Sequence, residues 1–210
     1  MPHAAARVPP ALLRGHSRVL RPRDAVTVYT HPRPEFARLN RAGALHRLAA
    51  GYYAAVPDDQ FDRSWLPELE AAALGIAVTD AGIDSCALMG LSAARIHGAI
   101  PRALAVAVVA TTRHRRSLRL TDRDATVLFT RRHVPGLDVQ RHTSELGQGW
   151  ITTLEQTTLD LASRPDLGGL PEQANTAAHA LLARCDQQLL RELAVTQRRQ
   201  ASLDRLRTTA

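Results

Sequence analysis

The hydrophobic and polar positions change period along the chain. Over residues 34–42 the period is helical: at 100° per residue Phe36, Leu39 and Asn40 fall on one side, and Arg38 and Arg41 on the opposite side. Pro34 at the first position and Gly43 just past the end supply the start and stop of that helix. Residues 44–48 and 52–56 flank Ala49-Ala50-Gly51; Tyr and Val enrichment with glycine at the bend predicts a β-hairpin. A helix leading directly into a hairpin is the back half of a winged helix. Ahead of it, Pro9-Pro10 opens a short helix through Leu13 that stops near Gly15. Residues 21–29 read as a second short helix or an extended piece, with Thr27-Val28-Tyr29 favouring strand. His31-Pro32-Arg33-Pro34 is a break, and residues 57–60 form an exit linker.

The pattern beyond residue 57 is different. Ser64 is placed to cap a helix starting at Trp65, running through the alanine-rich 71–77 and ending before Gly82. Residues 87–89 make a short strand, and 92–97 one or two helical turns stopped by Gly98. The wholly apolar 103–110 is a buried strand; 125–129 and 139–142 are further strands. Between the first two, residues 111–123 are polar, rich in Arg and carry His114. Thr152-Thr-Leu-Glu155 fits a capping box. Two helices, over 171–185 and 187–206, close the chain. The predicted class is α+β: a winged helix-like unit over 1–57, then a mixed α/β domain over 58–210 with a small sheet and C-terminal helices.

Charge sharpens that division. Residues 1–57 hold nine Arg against Asp24 and Glu35, which accounts for the whole formal net charge of +7 of the 210 residues. Residues 58–150 and 151–210 are each balanced. A basic end on a neutral body suits a polyanion, most often nucleic acid. Every basic residue is Arg, so the distribution carries the information and the residue type does not. Arg38 and Arg41 are the first candidates for phosphate or base-edge contact, with Arg33, His46 and Arg47 beside them. Arg7, Arg14, Arg18, Arg21 and Arg23 add phosphate attraction. A second group, Arg113, Arg115, Arg116, Arg119, Arg131 and Arg132, surrounds two of the strands and could receive a negatively charged partner.

Catalytic and metal chemistry find little support. Ser92 and His97 stand five apart across a short helix and would not face each other, with no third group evident; a capping Ser and a structural His suffice. Glu155 and Asp160 point to different sides of their helix, where capping and surface roles suffice. No His or Cys falls at metal-ligand spacing, and no metal or cofactor is expected. There is no Gly-rich phosphate loop, and a chain without lysine excludes lysine-dependent phosphotransfer. Two distant cysteines, Cys86 and Cys185, and no apolar leader predict a reduced cytoplasmic protein with no membrane span.

Two stretches carry a resemblance. One is Leu39-Asn-Arg-Ala-Gly-Ala-Leu-His-Arg-Leu-Ala-Ala-Gly-Tyr-Tyr53. The other is Gly90-Leu-Ser-Ala-Ala-Arg-Ile-His-Gly98, followed by the strand pair and Thr153-Leu-Glu-Gln-Thr-Thr-Leu-Asp160. In this order and spacing they resemble the AbiEi family of type IV toxin–antitoxin antitoxins, from about residue 34 to the end. The resemblance implies a winged-helix domain that binds operator DNA and represses its own operon. It also implies a C-terminal antitoxin domain and, as partner, an AbiEii-like nucleotidyltransferase toxin encoded by the adjacent gene. A palindromic operator would imply dimerisation on DNA. The resulting expectation is a binding protein and not an enzyme. An antitoxin that modifies its toxin, for example by phosphoryl transfer, and a stand-alone DNA-binding regulator remain the alternatives.

Overall fold

Proline-led turns bring the chain into the fold. The computed structural model describes residues 7–60 and 64–208. Pro10–Leu13 and Pro22–Asp24 form short 3-10 turns with proline at the start, where a missing N–H costs nothing. Strand β1, Val19–Leu20, lies between them. Thr27-Val28-Tyr29 does not extend; the Val28 and Tyr29 N–H groups donate to the Ala25 carbonyl at 3.1 and 2.9 Å. Helix α1, Pro32–Arg41, starts ahead of the expected Pro34, because a first helical turn tolerates both Pro32 and Pro34. Strands β2, Leu45–Ala49, and β3, Tyr52–Ala55, form the expected hairpin. Gly51 sits in the turn at φ 82°, a left-handed conformation that favours glycine. β1 adds to the other edge of β3, giving a three-stranded sheet of order β1-β3-β2.

Helix α2, Leu69–Ala81, begins later than Trp65 because Pro67 disfavours helical backbone at residue 66. Ser64 therefore lies ahead of the helix and does not cap it. The Glu145 carboxylate instead accepts from the Glu68 N–H at 2.6 Å and from Trp65 Nε1 at 3.0 Å. After α2 come β4, Cys86–Leu88, and α3, Gly90–Ile96. Then follow β5, Val106–Thr111, β6, Leu118–Arg119, and β7, Thr126–Arg131. The hairpin of β8, Val139–Ser144, and β9, Gly147–Thr152, completes a six-stranded sheet of order β6-β7-β5-β4-β9-β8.

β5 is buried at every position because both of its faces are covered. Ala107 and Val109 pack with α2; Val106 packs with Leu91 and Ala94 of α3 on the other side. Helix α4, Leu154–Ser163, is capped one residue later than the expected box: Thr153 Oγ1 accepts from the Gln156 N–H at 3.3 Å. Helices α5, Pro171–Leu182, α6, Gln187–Thr196, and α7, Gln200–Thr208, close the fold. The single helix expected over 187–206 is thus two, broken where Arg198 takes φ 55°.

The two sheets are tied by residues 16–20. β4 is too short to cover the start of β9, and the chain at 16–18 takes that place. The Arg18 N–H donates to the Leu146 carbonyl at 2.8 Å, and the Gln148 N–H to the His16 carbonyl at 2.9 Å. Two residues on, Val19 and Leu20 pair with β3. Val19, Leu48 and Ala54 accordingly join α2, β4, β5 and β9 in one hydrophobic cluster.

Candidate nucleic-acid interface

The rotation of α1 is fixed from beneath. Phe36 and Leu39 are fully buried, and the Phe36 ring stands edge-on to Tyr29 and Tyr53 at centroid distances of 6.5 and 5.3 Å. With that side anchored, Arg38 and Arg41 face outward. Arg38 Nε donates to Glu35 at 2.9 Å and Arg41 Nε to the Ala37 carbonyl at 3.4 Å, both at the surface. A surface ion pair is worth about 0–1 kcal/mol, so a phosphate can compete for Arg38. Arg33 is exposed in the first turn of α1, next to a shallow depression it lines with Arg23 and His31. Arg47 is exposed on β2.

His46 points elsewhere, as strand alternation requires of the neighbour of Arg47. Its Nε2 meets Asp122 at 2.9 Å and its ring stands edge-on to Trp65 at 5.9 Å. Burial alone would raise the Asp122 carboxyl, but hydrogen bonds from His46 and Arg123 hold it below the usual carboxylate range. The Thr121 N–H donates to the Leu48 carbonyl at 2.8 Å, so β2 is fastened to the 121–123 loop by backbone and side chain together. Two more arginines of the basic end turn inward. Arg18 reaches the Ala55 and Val56 carbonyls, and Arg21 pairs with Asp24 and Asp80. Arg7, Arg14 and Arg23 remain exposed.

Asp80, on α2, is a junction that no sequence spacing announces. Tyr52 donates to it at 2.9 Å, Arg115 pairs with it at 2.5 Å, and Arg21 arrives from the N-terminal side. Burial, and the bond to Asp80, raise the Tyr52 hydroxyl above the usual phenol range. The Arg115 guanidinium also lies 3.9 Å above the Phe129 ring.

The second arginine group consequently divides. Arg113, Arg116, Arg119 and Arg131 are exposed; Arg115 is held at Asp80, and Arg132 at Asp160, 2.9 Å away. Asp160 also receives Arg199 at 2.9 Å and Gln156 at 3.2 Å. Burial and the neighbouring Arg132 lower the Arg199 guanidinium from its ordinary value. Glu155 and Asp160, expected to be surface or capping residues, are both buried. Glu155 accepts from the Asp186 N–H at 2.8 Å. They are buried because α5–α7 cover α4, which its own sequence does not reveal.

Ser92 lies inside α3 and does not cap it; its Oγ accepts from the Val108 N–H at 2.8 Å. His97 Nε2 donates to the Thr152 carbonyl at 2.8 Å. Each side chain fixes a helix to a strand. The Cys86 thiol is pushed up to about 12 by burial. Among the described residues no three His, Cys, Asp or Glu side chains gather as a metal cradle, and no helix is long and apolar enough to cross a membrane.

Arg33, Arg38, Arg41 and Arg47 are therefore exposed on one helix–hairpin unit, and His46 braces it from within. The chain matches no protein family model and no curated protein.

Proposed function

We propose that the chain is a two-part antitoxin that binds operator DNA with its N-terminal unit and counteracts a nucleotidyltransferase-like toxin with the remainder. The observation that carries the DNA half is the arrangement of residues 10–55. A short turn, β1, a second short turn, α1 and a hairpin follow one another, with sheet order β1-β3-β2. We read this order as winged helix-like, with α1 in the place of a recognition helix. Its outward arginines and the charge segregation support the same reading. The hairpin tip, Ala50-Gly51, is uncharged, so phosphate contacts fall to α1, Arg47 and the exposed arginines before β1.

For the antitoxin half the support is the resemblance of the motifs around residues 39–53, 90–98 and 153–160 to the AbiEi family. The toxin is then an AbiEii-like nucleotidyltransferase encoded next door, met in the cytoplasm, and Arg113, Arg116, Arg119 and Arg131 are the exposed basic surface offered to it. Two copies on a palindromic operator follow from the same reading. The test has two arms. Co-expression with the adjacent gene product restores growth if the chain is its antitoxin; a harmless neighbour, or no rescue, ends that half. Fluorescence anisotropy with the upstream promoter fragment tests the other half, which fails if R38A/R41A binds as tightly as the parent.

A further inference from the structure

A cleft among the last helices has chemistry that neither DNA nor toxin binding uses. It has a volume of about 360 Å³ and is lined by Ser163 of α4, Asn175 and His179 of α5, and Ser202 and Arg205 of α7, with Ala162, Pro165 and Leu206 completing the wall. Asn175 and His179 stand four apart and Ser202 and Arg205 three apart, so each pair presents to one side of its helix. Immediately beside them the same helices interdigitate through Ala174, Ala178, Leu181 and Leu206. The sequence thus places polar side chains where apolar ones would close the gap.

Two of these groups are incomplete. Ser163 Oγ and His179 Nδ1 are shielded from solvent and have no hydrogen-bond partner among the described residues. A shielded polar atom left unpaired is a standing cost, and two at one cleft point to a missing occupant. At the rim, Arg205 Nη2 donates to Ser202 Oγ at 3.1 Å, which orients both groups. Among the described residues the lining offers a guanidinium, an imidazole, a carboxamide and two hydroxyls, and no carboxylate.

We infer that this cleft binds a small molecule through its phosphate group. Polar groups from three helices line it; a phosphate presents oxygens in several directions, whereas a carboxylate presents two in one plane. The guanidinium supplies charge-assisted hydrogen bonding, and the volume is that of an ordinary small-ligand site.

The experiment is a titration of the full chain with inorganic phosphate and, separately, ribose 5-phosphate, in a phosphate-free buffer. Binding is followed by calorimetry and thermal melting. Saturable binding is expected, and R205Q is expected to weaken it about tenfold or more, the scale of one lost charge-assisted bond. S163A should melt like the parent without ligand, since its hydroxyl has no bond to lose, yet show a smaller phosphate-induced rise. A tighter response to ribose 5-phosphate assigns an organic phosphate; an equal response assigns the free ion. The inference is overturned if neither probe saturates at millimolar concentration, if R205Q binds like the parent, or if S163A loses stability without ligand while its phosphate response is unchanged.

Discussion

Asp122 is where charge and pH meet in this protein. Its carboxylate is held below the usual range, so its protonation is harder in the folded chain than in the unfolded one, where an aspartate titrates near pH ~3.9. The stabilisation it provides is therefore complete above about pH 4 and is lost as pH falls through the lowered folded value. D122N should be less stable than the parent at pH 7 by about 1.5–3 kcal/mol, the scale for hydrogen bonds to a charged group. The gap should narrow towards pH 3, as read by urea unfolding at each pH; a constant gap would locate the loss in packing. Asp160 predicts a larger effect, because it serves two arginines at once. D160N leaves Arg132 and Arg199 facing each other without their common carboxylate, and a loss of about 3–5 kcal/mol is expected in the same unfolding assay. Neither residue was legible. The sequence places the partners 76 residues away for the His46 contact and 28 and 39 for the arginines, and side-chain spacing reports only on neighbours within an element.

Elements with strong local signals were readable and those shaped by distant backbone were not. α1 shows its seat in Phe36 and Leu39 and its stop in Gly43, and β5 announces itself by unbroken apolarity. β9 was invisible because Gly147 and Gly149 interrupt a strand pattern. Their absence of side chain is imposed from elsewhere: a Cβ at Gly147 would lie 2.2 Å from the His16 carbonyl oxygen, and one at Gly149 would lie 2.7 Å from Leu74. α2 obeys the same constraint. A glycine inside a helix usually costs about 1 kcal/mol relative to alanine, yet a Cβ at Gly75 would stand 2.5 Å from Val19 Cγ2. G75A should consequently destabilise, by about 1–3 kcal/mol, where helix propensity alone predicts a gain. Thermal unfolding gives the sign; a rise in melting temperature would mean that β1 yields freely against α2.

For the molecule as a whole, the segregated charge predicts how DNA affinity responds to salt. If α1 and its neighbours meet phosphates, the logarithm of the binding constant should fall linearly with the logarithm of salt, by about 0.9 per phosphate neutralised. R38A/R41A should flatten that slope by about two such steps; an unchanged slope would move the interface off α1. Charge segregation was legible because it is additive along the chain. Which arginines stay free was not, because Arg18, Arg21, Arg115 and Arg132 are claimed by groups that only folding brings near. The stitch at residues 16–20 carries one more consequence, for genetic dissection. That segment completes the edge of β9, lies against Gly75 and pairs with β3. Deleting the basic end would therefore strip a strand's partner from one sheet and open the α2 core, and a truncated chain that failed to rescue would report on misfolding. Clean separation of the two proposed activities in this architecture requires alleles that alter only the outer face of α1, and complementation between such alleles in trans would then be interpretable.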